Sequence, residues 1–515
     1  MKLHLSTILS LGFLCLQGEI LVAQSPGSLD TSFNLTGKVT TAFGTGMDGA
    51  SGVKIQPDGK IVVAGYSAGS GNNYLLAVSR YNSDGTLDTS FNGTGKVTVD
   101  LSTGYDIATC VAIFDNKIIA GGMKWSGTSG DNALIRLNNN GTLDSSFGNN
   151  GVVSNSIGVG DAGINSIAFQ PDGKIVATGI CTMLGTGRDF AIMRYNSDGS
   201  LDSTFGSNGI VTYDFNNSYD FPYSVVIQND GKIIAGGATG QDPIYDFGIV
   251  RLDTLGAVDA SYGNNGMVVT DFGKPDEWAY GSVLQADGKL ILAGTSGSPY
   301  RIVLSRYNDN GVLDTTFNAT GKVSTAITSH DEAMAITTDS SGKIIACGVS
   351  YNGSNQDFCL VRYLPNGYLD NTFGTSGHVT TDFSGGIDKG NAIVLQPDGK
   401  VVVAGVAAQD FGVARYITTL NTGIIDFSSS VENLLVYPNP IEHNITLAYT
   451  LKDIECVTIK VADVAGQLVG TVIQNNLQQA GRHEQIIRMP ANLSAGVYFI
   501  TIDNGKAKLS IKVVK

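Results

Sequence analysis

Hydrophobic and polar positions along most of the chain fall into short runs, and the runs come in groups of four. Residues 165–215 show one group well: a short run at 166–170, a tight Pro-Asp-Gly turn at 171–173, and a continuous apolar run at 174–179. Two runs follow at 190–196 and 209–215, and the last alternates polar and apolar residues as a half-exposed outer strand does. No helical period interrupts these groups, so the pattern predicts an all-β chain of four-stranded units.

The group repeats seven times, as three recurring residues show. A lysine opens the continuous apolar run at Lys60, Lys117, Lys174, Lys232, Lys289, Lys343 and Lys400, at intervals of 54 to 58 residues. An aspartate lies in a Leu-Asp-x-x-Phe type segment at Asp30, Asp88, Asp144, Asp202, Asp259, Asp314 and Asp370. An arginine lies within a third short run at Arg80, Arg136, Arg194, Arg251, Arg306, Arg362 and Arg415. A fixed period of this length is typical of repeat architectures.

The order of these features favours a closed ring over an open stack. A single four-stranded sheet cannot bury both of its faces, whereas seven sheets around an axis can. A linear β-solenoid is the alternative. However, the first aspartate segment and its outer run at 37–43 precede the first inner run, and the last unit stops after 411–416 without an outer run. We therefore predict a seven-bladed β-propeller closed by an N-terminal outer strand, in which residues 29–43 complete the seventh blade.

The repeat pattern stops after residue 417, and a different domain follows. Ser428, Ser429 and Ser430 suggest a linker, and short strand-like runs return at 444–451, 456–461, 485–489, 497–502 and 506–514. These runs predict a small immunoglobulin-like β-sandwich. The predicted boundaries are 1–23 for a signal peptide, 24–417 for the propeller, 418–433 for the linker and 434–515 for the sandwich.

Composition and charge limit the fold class and the classes of partner that the chain can bind. The 66 glycines and the charged fraction of 15% fit an all-β chain rich in tight turns and exclude a coiled coil or a disordered chain. Lys and Arg number 32 against 46 Asp and Glu, a formal net charge of −14. Nucleic acid is excluded as a partner because its phosphates require basic residues, and an anionic membrane surface is disfavoured.

The N-terminus resembles a secretory signal. Lys2 and His4 precede an apolar run at 5–16, and the small residue Ala23 before Gln24 marks the expected cleavage point. A membrane anchor is the alternative, but an apolar run of about 12 residues is too short to span a bilayer. No other long apolar run is present, so we expect no membrane span in the mature chain.

Five cysteines remain beyond Cys15, which lies in the predicted signal segment. They are Cys110, Cys181, Cys347, Cys359 and Cys456. An odd number without Cys-x-x-Cys spacing predicts neither a disulfide framework nor a zinc site. Buried free thiols are expected, with a Cys347–Cys359 bridge as the alternative.

The repeats resemble the delta-60 repeat family. The resemblance rests on Gln-Pro-Asp-Gly-Lys at 56–60, 170–174 and 396–400, on Asp-Phe-x-x-x-Arg-Tyr at 189–195, and on the Leu-Asp-x-x-Phe segments, and it covers residues 29–417. It implies a bacterial propeller whose biochemical role is uncharacterised as a class. Local departures occur at 115–117, 258–262 and 340–342.

The C-terminal stretch resembles the type A C-terminal sorting domain of the type IX secretion system. The matching residues are Tyr437, Pro438, Asn439 and Pro440, Val461-Ala462-Asp463 with Gly466, the segment 493–499 with Gly496 and Tyr498, and the basic end at Lys515. The resemblance implies that the type IX secretion machinery exports the chain across the outer membrane, usually with removal of this domain and release or surface attachment. An ordinary adhesion-type sandwich is the alternative.

The sequence offers little catalytic chemistry. The predicted propeller holds only His330 and His378, which fall at different positions of the repeat, so a shared triad or metal centre is not expected. Motifs for nucleophile elbows, zinc proteases, dinucleotides and phosphate loops are absent from the sequence. The two tryptophans, Trp125 and Trp278, are single-copy and are expected to fill local gaps. We therefore predict no catalytic residue and no cofactor.

Aspartates recur at two further places in the repeat. One precedes the first strand of each unit, at Asp48, Asp106, Asp161, Asp220, Asp276, Asp331 and Asp388. Another precedes the third strand in five units, at Asp131, Asp189, Asp246, Asp357 and Asp410. In an up-and-down blade both positions lie on one face, so these carboxylates are expected to ring one mouth, where converging oxygens would hold Ca²⁺. The alternative is a structural role, in which an aspartate caps the N–H groups of a turn and the repeated arginine pairs with a repeated aspartate. Repetition in every unit favours that role, so no metal ligand is assigned.

Two functions from different classes remain. The favoured one is a secreted or cell-surface, non-enzymatic binding scaffold for an extracellular protein or glycan. The alternative is an extracellular polysaccharide-active enzyme, a glycosidase or lyase, because propellers host such sites. Glu277 and Glu332 are the first suspects for that enzyme because they interrupt the repeat pattern beside Asp276 and Asp331.

Overall fold

The computed structural model describes residues 24–71, 73–125, 127–419, 431–441, 444–452, 454–464, 466–490, 493–503 and 508–515. The predicted signal segment, with Ala23, and residues 420–430 of the predicted linker lie outside the described residues. The regular structure of the described residues is β-strand throughout, and none of them forms a helix long and apolar enough to cross a membrane. The chain divides into two compact units, Gln24–Leu420 and the unit that contains Asn421–Lys515.

The first unit is a seven-bladed propeller of antiparallel four-stranded sheets. Its first fourteen strands are β1 (Lys38–Thr41), β2 (Asp48–Ile55), β3 (Ile61–Ala68), β4 (Tyr74–Tyr81), β5 (Lys96–Val99), β6 (Asp106–Phe114), β7 (Lys117–Trp125), β8 (Gly130–Leu137), β9 (Val152–Asn155), β10 (Ala162–Phe169), β11 (Ile175–Met183), β12 (Gly187–Tyr195), β13 (Ile210–Tyr213) and β14 (Tyr219–Ile227). The remaining strands are β15 (Ile233–Gln241), β16 (Ile244–Leu252), β17 (Met267–Thr270), β18 (Trp278–Leu284), β19 (Leu290–Ser296), β20 (Arg301–Tyr307), β21 (Lys322–Thr325), β22 (Asp331–Thr338), β23 (Ile344–Tyr351), β24 (Gln356–Tyr363), β25 (His378–Thr381), β26 (Asp388–Leu395), β27 (Val401–Ala407) and β28 (Asp410–Tyr416).

Blades one to six each take four consecutive strands, starting with β2–β5 and ending with β22–β25. Blade seven has the order β1-β28-β27-β26, so its outer strand comes from the N-terminus. Lys38 of β1 pairs with Ala414, and Asp30 N–H donates to the Arg415 carbonyl at 2.8 Å. The predicted closure of the ring by an N-terminal outer strand is confirmed.

The second strand of each blade is buried on both faces, as its continuous apolar run predicts. In blade three the first strand carries a β-bulge between Ile164 and Ser166, which brings it close to the second strand. A Cβ on Gly179 would lie 1.9 Å from the carbonyl oxygen of Gly163, so only glycine fits there. Glycines stand at the same place in every blade: Gly65, Gly122, Gly179, Gly237, Gly294, Gly348 and Gly405.

The hydrophobic cores lie between neighbouring blades. The core between blades seven and one contains Val63, Ala404 and Val413, and Phe33 from the N-terminal segment is fully buried in it. In five blades a tyrosine follows the repeated arginine and bonds across a blade boundary: Tyr81, for example, donates its hydroxyl to Thr41 Oγ1 of blade seven at 2.8 Å. Packing between blades is therefore specified by residues of the repeat.

The second unit is a small β-sandwich. Its strands are β29 (Val431–Tyr437), β30 (Asn444–Leu451), β31 (Glu455–Asp463), β32 (Leu468–Gln478), β33 (Gly481–Arg488), β34 (Val497–Asp503) and β35 (Lys508–Val514). They form a three-stranded sheet β29-β30-β33 and a four-stranded sheet β32-β31-β34-β35. Leu447, Val457, Ile459 and Ile500 are buried in the core of this unit.

Candidate functional site

The propeller has two faces with different chemistry. Successive strands of a blade run in opposite directions, so the connections from first to second strand and from third to fourth lie on one face. We call this the turn face, because it carries the Gln-Pro-Asp-Gly-Lys turns such as 170–174. The opposite face carries the loops that lead into the first strands, with Asp48, Asp220 and Asp388, and we call it the acidic face.

On the turn face the three repeated residues of the sequence meet in one cluster per blade. In blade three, Asp202 Oδ2 accepts from Arg194 Nε at 2.8 Å and lies 3.0 Å from Lys174 Nζ. Burial by itself would raise the pKa of Asp202, but hydrogen bonds from Thr204 and Lys174 and the charge of Arg194 hold it well below its usual value. The Arg194 guanidinium also lies 4.6 Å from the centre of the Phe205 ring.

The same cluster occurs in all seven blades. The aspartates and their arginines are Asp30 with Arg415, Asp88 with Arg80, Asp144 with Arg136, Asp202 with Arg194, Asp259 with Arg251, Asp314 with Arg306 and Asp370 with Arg362. The seventh cluster joins the two ends of the ring, because Arg415 and Lys400 of blade seven pair with Asp30. The turn face is thus occupied by structural ion pairs.

On the acidic face, an acid at the start of the first strand caps the preceding loop in six of the seven blades. Asp220 is fully buried, and its carboxylate accepts from Phe215 N–H at 2.7 Å and from the hydroxyls of Ser218 and Thr239 at 2.6 Å each. Asp48, Asp106, Asp331 and Asp388 make the equivalent bond to a loop N–H. These five positions have the geometry of the capping interpretation.

Two of the predicted aspartates stand one residue away from this position. Counted from the β-bulge of the first strand, the equivalent of Asp220 is Ala162 in blade three and Glu277 in blade five. Asp161 and Asp276 each lie one residue earlier, so their predicted equivalence to the other five is wrong. The alignment fails because the loops differ in length, whereas the bulge fixes the register.

Glu277 therefore continues the repeat rather than interrupting it. It is fully buried and accepts from Phe272 N–H at 2.7 Å, Lys274 N–H at 3.1 Å and Ser296 Oγ at 3.1 Å. This set of bonds is that of a loop cap, and the suspicion that Glu277 is a catalytic acid is wrong. Glu332 differs, because its Oε1 lies 2.6 Å from His330 Nε2 and it is half-buried.

The aspartates predicted before the third strands belong to separate clusters and do not form a continuous ring. Within the described residues, three groups of acids each offer oxygens that lie within 4.8 Å of one another: Asp189, Asp214 and Asp220; Asp246, Asp271 and Glu277; Asp357, Asp382 and Asp388. Each group spans the boundary between two blades. Asp131 instead contacts Ser156 Oγ, and Asp410 lies near Asp48.

The sequence interpretation missed one member of each group. Asp214, Asp271 and Asp382 all directly follow an outer strand, so their shared position in the repeat was the available signal. Asp189 and Asp220 approach Asp214 from a third strand and from the next blade. Burial, followed by the charges of Asp214 and Asp220, raises the pKa of Asp189 despite a hydrogen bond from Thr186.

The acidic face also carries an aromatic hollow between blades one and two. It has a volume of ≈ 470 Å³ and is lined by Tyr66, Tyr74, Tyr105, Ile107, Met123 and Trp125. The Tyr74 and Tyr105 rings stack with centres 5.3 Å apart, and Tyr105 is 42% exposed. The prediction that Trp125 fills a local gap is wrong, because its ring lines this open hollow with three tyrosines.

A second aromatic group surrounds Trp278 at the boundary of blades four and five. Phe221, Tyr223, Tyr245 and Tyr280 contact its ring. Trp278 Nε1 donates to Asp276 at 2.5 Å, and Tyr300 donates its hydroxyl to the same carboxylate. The Tyr300 ring packs edge-on against His330, with centres 4.8 Å apart, and so leads to the His330–Glu332 pair. This network is single-copy in the described residues.

The first strands line a central channel of ≈ 870 Å³, with Lys54, Cys110, Tyr223 and Tyr280 among its residues. Burial raises the pKa of Cys110 and of Tyr223 to about 12 each. All five described cysteines are free thiols, as expected, so Cys347 and Cys359 form no bridge.

The motif residues of the C-terminal unit meet at the end of the chain. Asn439 Oδ1 accepts from Val514 N–H at 2.9 Å, and Lys515 exchanges two backbone hydrogen bonds with Gly496. Tyr498 donates its hydroxyl to the Ser494 carbonyl at 2.8 Å, and Lys515 Nζ donates to the Leu493 carbonyl at 2.7 Å. Tyr437 is 45% exposed beside this cluster, in the segment with Pro438 and Pro440.

Comparison with known families decides the identity of both units. Seven segments match the family described as a domain of unknown function (DUF5122) beta-propeller: 56–91, 115–147, 170–205, 228–262, 285–317, 340–373 and 396–417. Residues 435–515 match the secretion system C-terminal sorting domain. The chain is a seven-repeat DUF5122 propeller with a C-terminal sorting domain. The sorting domain directs this propeller protein to the cell surface or the extracellular space through the type IX secretion system.

Two solved structures are distantly similar to this propeller protein. PorZ, a surface component of the type IX secretion system of Porphyromonas gingivalis, is 14% identical with a TM-score of 0.41, and the match covers 90% of this chain but 58% of PorZ. A catalytically inactive virginiamycin B lyase from Staphylococcus aureus is 13% identical with a TM-score of 0.44, over 74% of this chain and 99% of the lyase. Curated proteins give no match to the chain.

Proposed function

We propose that the exported propeller is a non-enzymatic binding scaffold that takes an extracellular glycan on the hollow around Trp125. The observation that carries the proposal is the hollow itself, which is open, lined by aromatic rings and includes Trp125, one of the two tryptophans of the sequence. Aromatic side chains supply large rigid contact areas, and the surface that lines the hollow is almost wholly apolar. A sugar ring presents an apolar face that matches such a surface.

The order of segments supports this proposal. A signal peptide cleaved between Ala23 and Gln24 would deliver the chain to the periplasm, and the sorting domain would carry it across the outer membrane. We extend the proposal to these steps and to the removal of the sorting domain, which would leave the propeller released or attached at the surface.

The test is a glycan array probed with the purified protein, followed by titration of each hit. We expect Trp125→Ala to abolish binding because it removes the largest ring of the hollow. Tyr368→Ala is the matched control, because Tyr368 is a 55% exposed aromatic residue on the turn face, and it should bind as the parent does. Melting curves of both variants exclude unfolding as the cause. Equal binding by the Trp125→Ala protein, or binding of proteins and no glycan, would overturn the proposal.

A polysaccharide-active enzyme is the second candidate, favoured by one observation. Among the described residues the network of Asp276, Tyr300, His330 and Glu332 is single-copy, and it places a carboxylate 2.6 Å from an imidazole. Glycosidases and lyases use acid and base groups of these kinds. The test is a screen for products released from extracellular polysaccharides. If the protein releases products, Glu332→Gln abolishes this activity and the exposed control Glu484→Gln retains it, the protein is this enzyme and not a binding scaffold.

A further inference from the structure

The boundary between blades three and four buries two carboxylate oxygens that have no hydrogen-bond partner. Asp189 is 4% exposed; its Oδ2 accepts from Thr186 Oγ1 at 2.8 Å, but its Oδ1 has no partner. Asp214 is half-buried; its Oδ2 accepts from Asn217 N–H at 3.0 Å, but its buried Oδ1 has no partner either. A buried carboxylate oxygen without a partner carries a desolvation cost, which a cation or a donor offsets.

The third carboxylate, of Asp220, completes a cluster of suitable size. Oxygens of Asp189, Asp214 and Asp220 lie within 4.8 Å of one another. Calcium binds oxygen ligands at about 2.3–2.6 Å, so two ligands on opposite sides of the ion are about 5 Å apart. Three carboxylates on two blades therefore fit around one ion, with water filling the remaining positions.

The charges around the cluster favour a cation from solution. The charged groups that act on Asp189 and Asp220 are other acids, and burial followed by these charges raises the pKa of both groups. The ligands are all hard carboxylate oxygens, which suits Ca²⁺ and disfavours zinc or copper. The neighbouring Cys181 thiol donates to the Asp189 backbone carbonyl at 3.7 Å, and burial raises its pKa, so it stays a neutral thiol.

We propose that Asp189, Asp214 and Asp220 bind one Ca²⁺ ion between blades three and four. The ion neutralises the unpaired oxygens and links the third strand of one blade to the first strand of the next. Extracellular calcium sites work at concentrations of about 10⁻⁴–10⁻³ M. This site is independent of the aromatic hollow and of any ligand bound there.

A second cluster of the described residues provides a matched control. In the group of Asp246, Asp271 and Glu277, the Lys322 ammonium lies close by: it donates to the Asp271 carbonyl and opposes the rise in the pKa of Asp246. No oxygen of this group is both buried and unpartnered. The group of Asp357, Asp382 and Asp388 is intermediate, because Asp357 Oδ1 is unpartnered while Lys38 donates to the Asp382 carbonyl.

The experiment is calorimetric titration of the metal-free protein with CaCl₂, repeated for Asp189→Asn, Asp214→Asn and Asp246→Asn. Asp220 is left intact because it caps its loop. We expect the parent to bind Ca²⁺ at millimolar concentration or below, and each of the first two variants to lose about tenfold or more in affinity at one site, because one charged ligand is gone. Asp246→Asn should bind as the parent does.

Thermal melting with and without calcium shows that all variants fold, and it also measures how much calcium binding stabilises each of them. Ca²⁺ should raise the Tm of the parent more than that of Asp189→Asn. Absence of heat and of a Tm shift up to about 10 mM Ca²⁺ would overturn the proposal, since even weak extracellular sites bind below that concentration. Parent-like binding by Asp189→Asn, or an equal loss in Asp246→Asn, would overturn the assignment to this cluster.

Discussion

Asp202 and Asp189 belong to the same blade and are equally buried, at 4% exposure each, yet their surroundings are opposite. Asp202 lies on the turn face between Arg194 and Lys174, and its pKa is well below the ordinary value. Asp189 lies on the acidic face between Asp214 and Asp220, and its pKa is raised by burial and by these charges. One carboxylate is held ionised by its partners, while the other lacks a countercharge.

The difference separates stability from function. The pairing on the turn face recurs in every blade, as a role in holding blades together requires. Among the described residues, the acidic face repeats its loop caps, whereas the Trp278 network and the clusters of three acids occur at some blade boundaries only. The aromatic hollow includes the single-copy residue Trp125. A ligand site needs only one copy, whereas a residue that holds the blades together is needed in all seven. Binding is therefore expected on the acidic face.

The largest effect is expected from removing residues 24–43. The deletion takes away strand β1, the buried Phe33 ring and Asp30, the acid of the seventh turn-face cluster. We expect the free energy of unfolding to fall by about 6 kcal/mol or more, because a buried arginine loses its partner and a core loses an aromatic ring. The exposed edge of blade seven should also promote oligomers. Calorimetry and size-exclusion chromatography measure both effects.

Asp30→Asn is the control for this deletion, because it keeps β1 and Phe33 and removes only the charge that pairs with Arg415. It should remain monomeric and lose about half of the effect of the deletion. A deleted protein that melts with the parent and elutes as a monomer would show that the ring does not need its N-terminal closure.

The second prediction concerns Asp202→Asn on the turn face. Arg194 is 3% exposed, so loss of its countercharge should cost about 3 kcal/mol or more of stability in urea unfolding. Asp198→Asn is the matched control: Asp198 is an exposed aspartate of the neighbouring turn whose carboxylate accepts from Ser200, and its loss should cost about 1 kcal/mol or less. Equal effects of the two substitutions would remove the distinction between paired and exposed acids.

The fold was predictable because its determinants repeat. Lys174, Arg194 and Asp202 are visible as spaced motifs, and the structure joins them in one cluster whose copies close the ring. The offset of the first aspartate segment from the last arginine was enough to predict that Asp30 would reach blade seven. Because each motif recurs seven times, a local departure in one copy does not change the predicted fold.

The candidate site was less predictable because it depends on what does not repeat. Asp161 and Asp276 were misplaced by one residue, since only the β-bulge fixes which residue of the loop becomes the cap. The three acids of a cluster come from two blades and three strands, so no regular spacing in the sequence predicts that they meet. The hollow likewise combines Tyr66 of a second strand with Tyr105 of the next blade. Such neighbours become visible only when the sheets are in place.

The third prediction compares how the acids of the two faces change the stability of the protein as the pH changes. Turn-face acids such as Asp202 and Asp314 have lowered pKa values, so their contribution to stability is full above pH of about 4 and is lost as the pH falls further. Acids of the acidic face such as Asp106, Asp189 and Asp220 have raised pKa values, caused first by burial. They take up protons more readily in the folded state, so stability rises as the pH falls towards about 4.

The metal-free protein should therefore have its maximum stability in mild acid. Urea unfolding across the pH range measures the profile. Asp202→Asn should weaken the loss on the acid side, whereas Asp189→Asn should weaken the rise between neutral pH and the maximum. A profile that falls steadily from neutral pH downwards would show that the acidic face contributes no repulsion.

The smallest effect is expected from Asp189→Asn without calcium. The amide removes the repulsion from Asp214 and Asp220 but weakens the hydrogen bond from Thr186, and each contribution is about 1 kcal/mol. The net change should therefore lie within about 1 kcal/mol, against the large loss in Asp202→Asn at the same burial. Parallel urea unfolding of the two variants in chelator makes this comparison directly. A loss in Asp189→Asn as large as that in Asp202→Asn would mean that Asp189 is already paired in the folded protein, and the contrast between the two faces would then disappear.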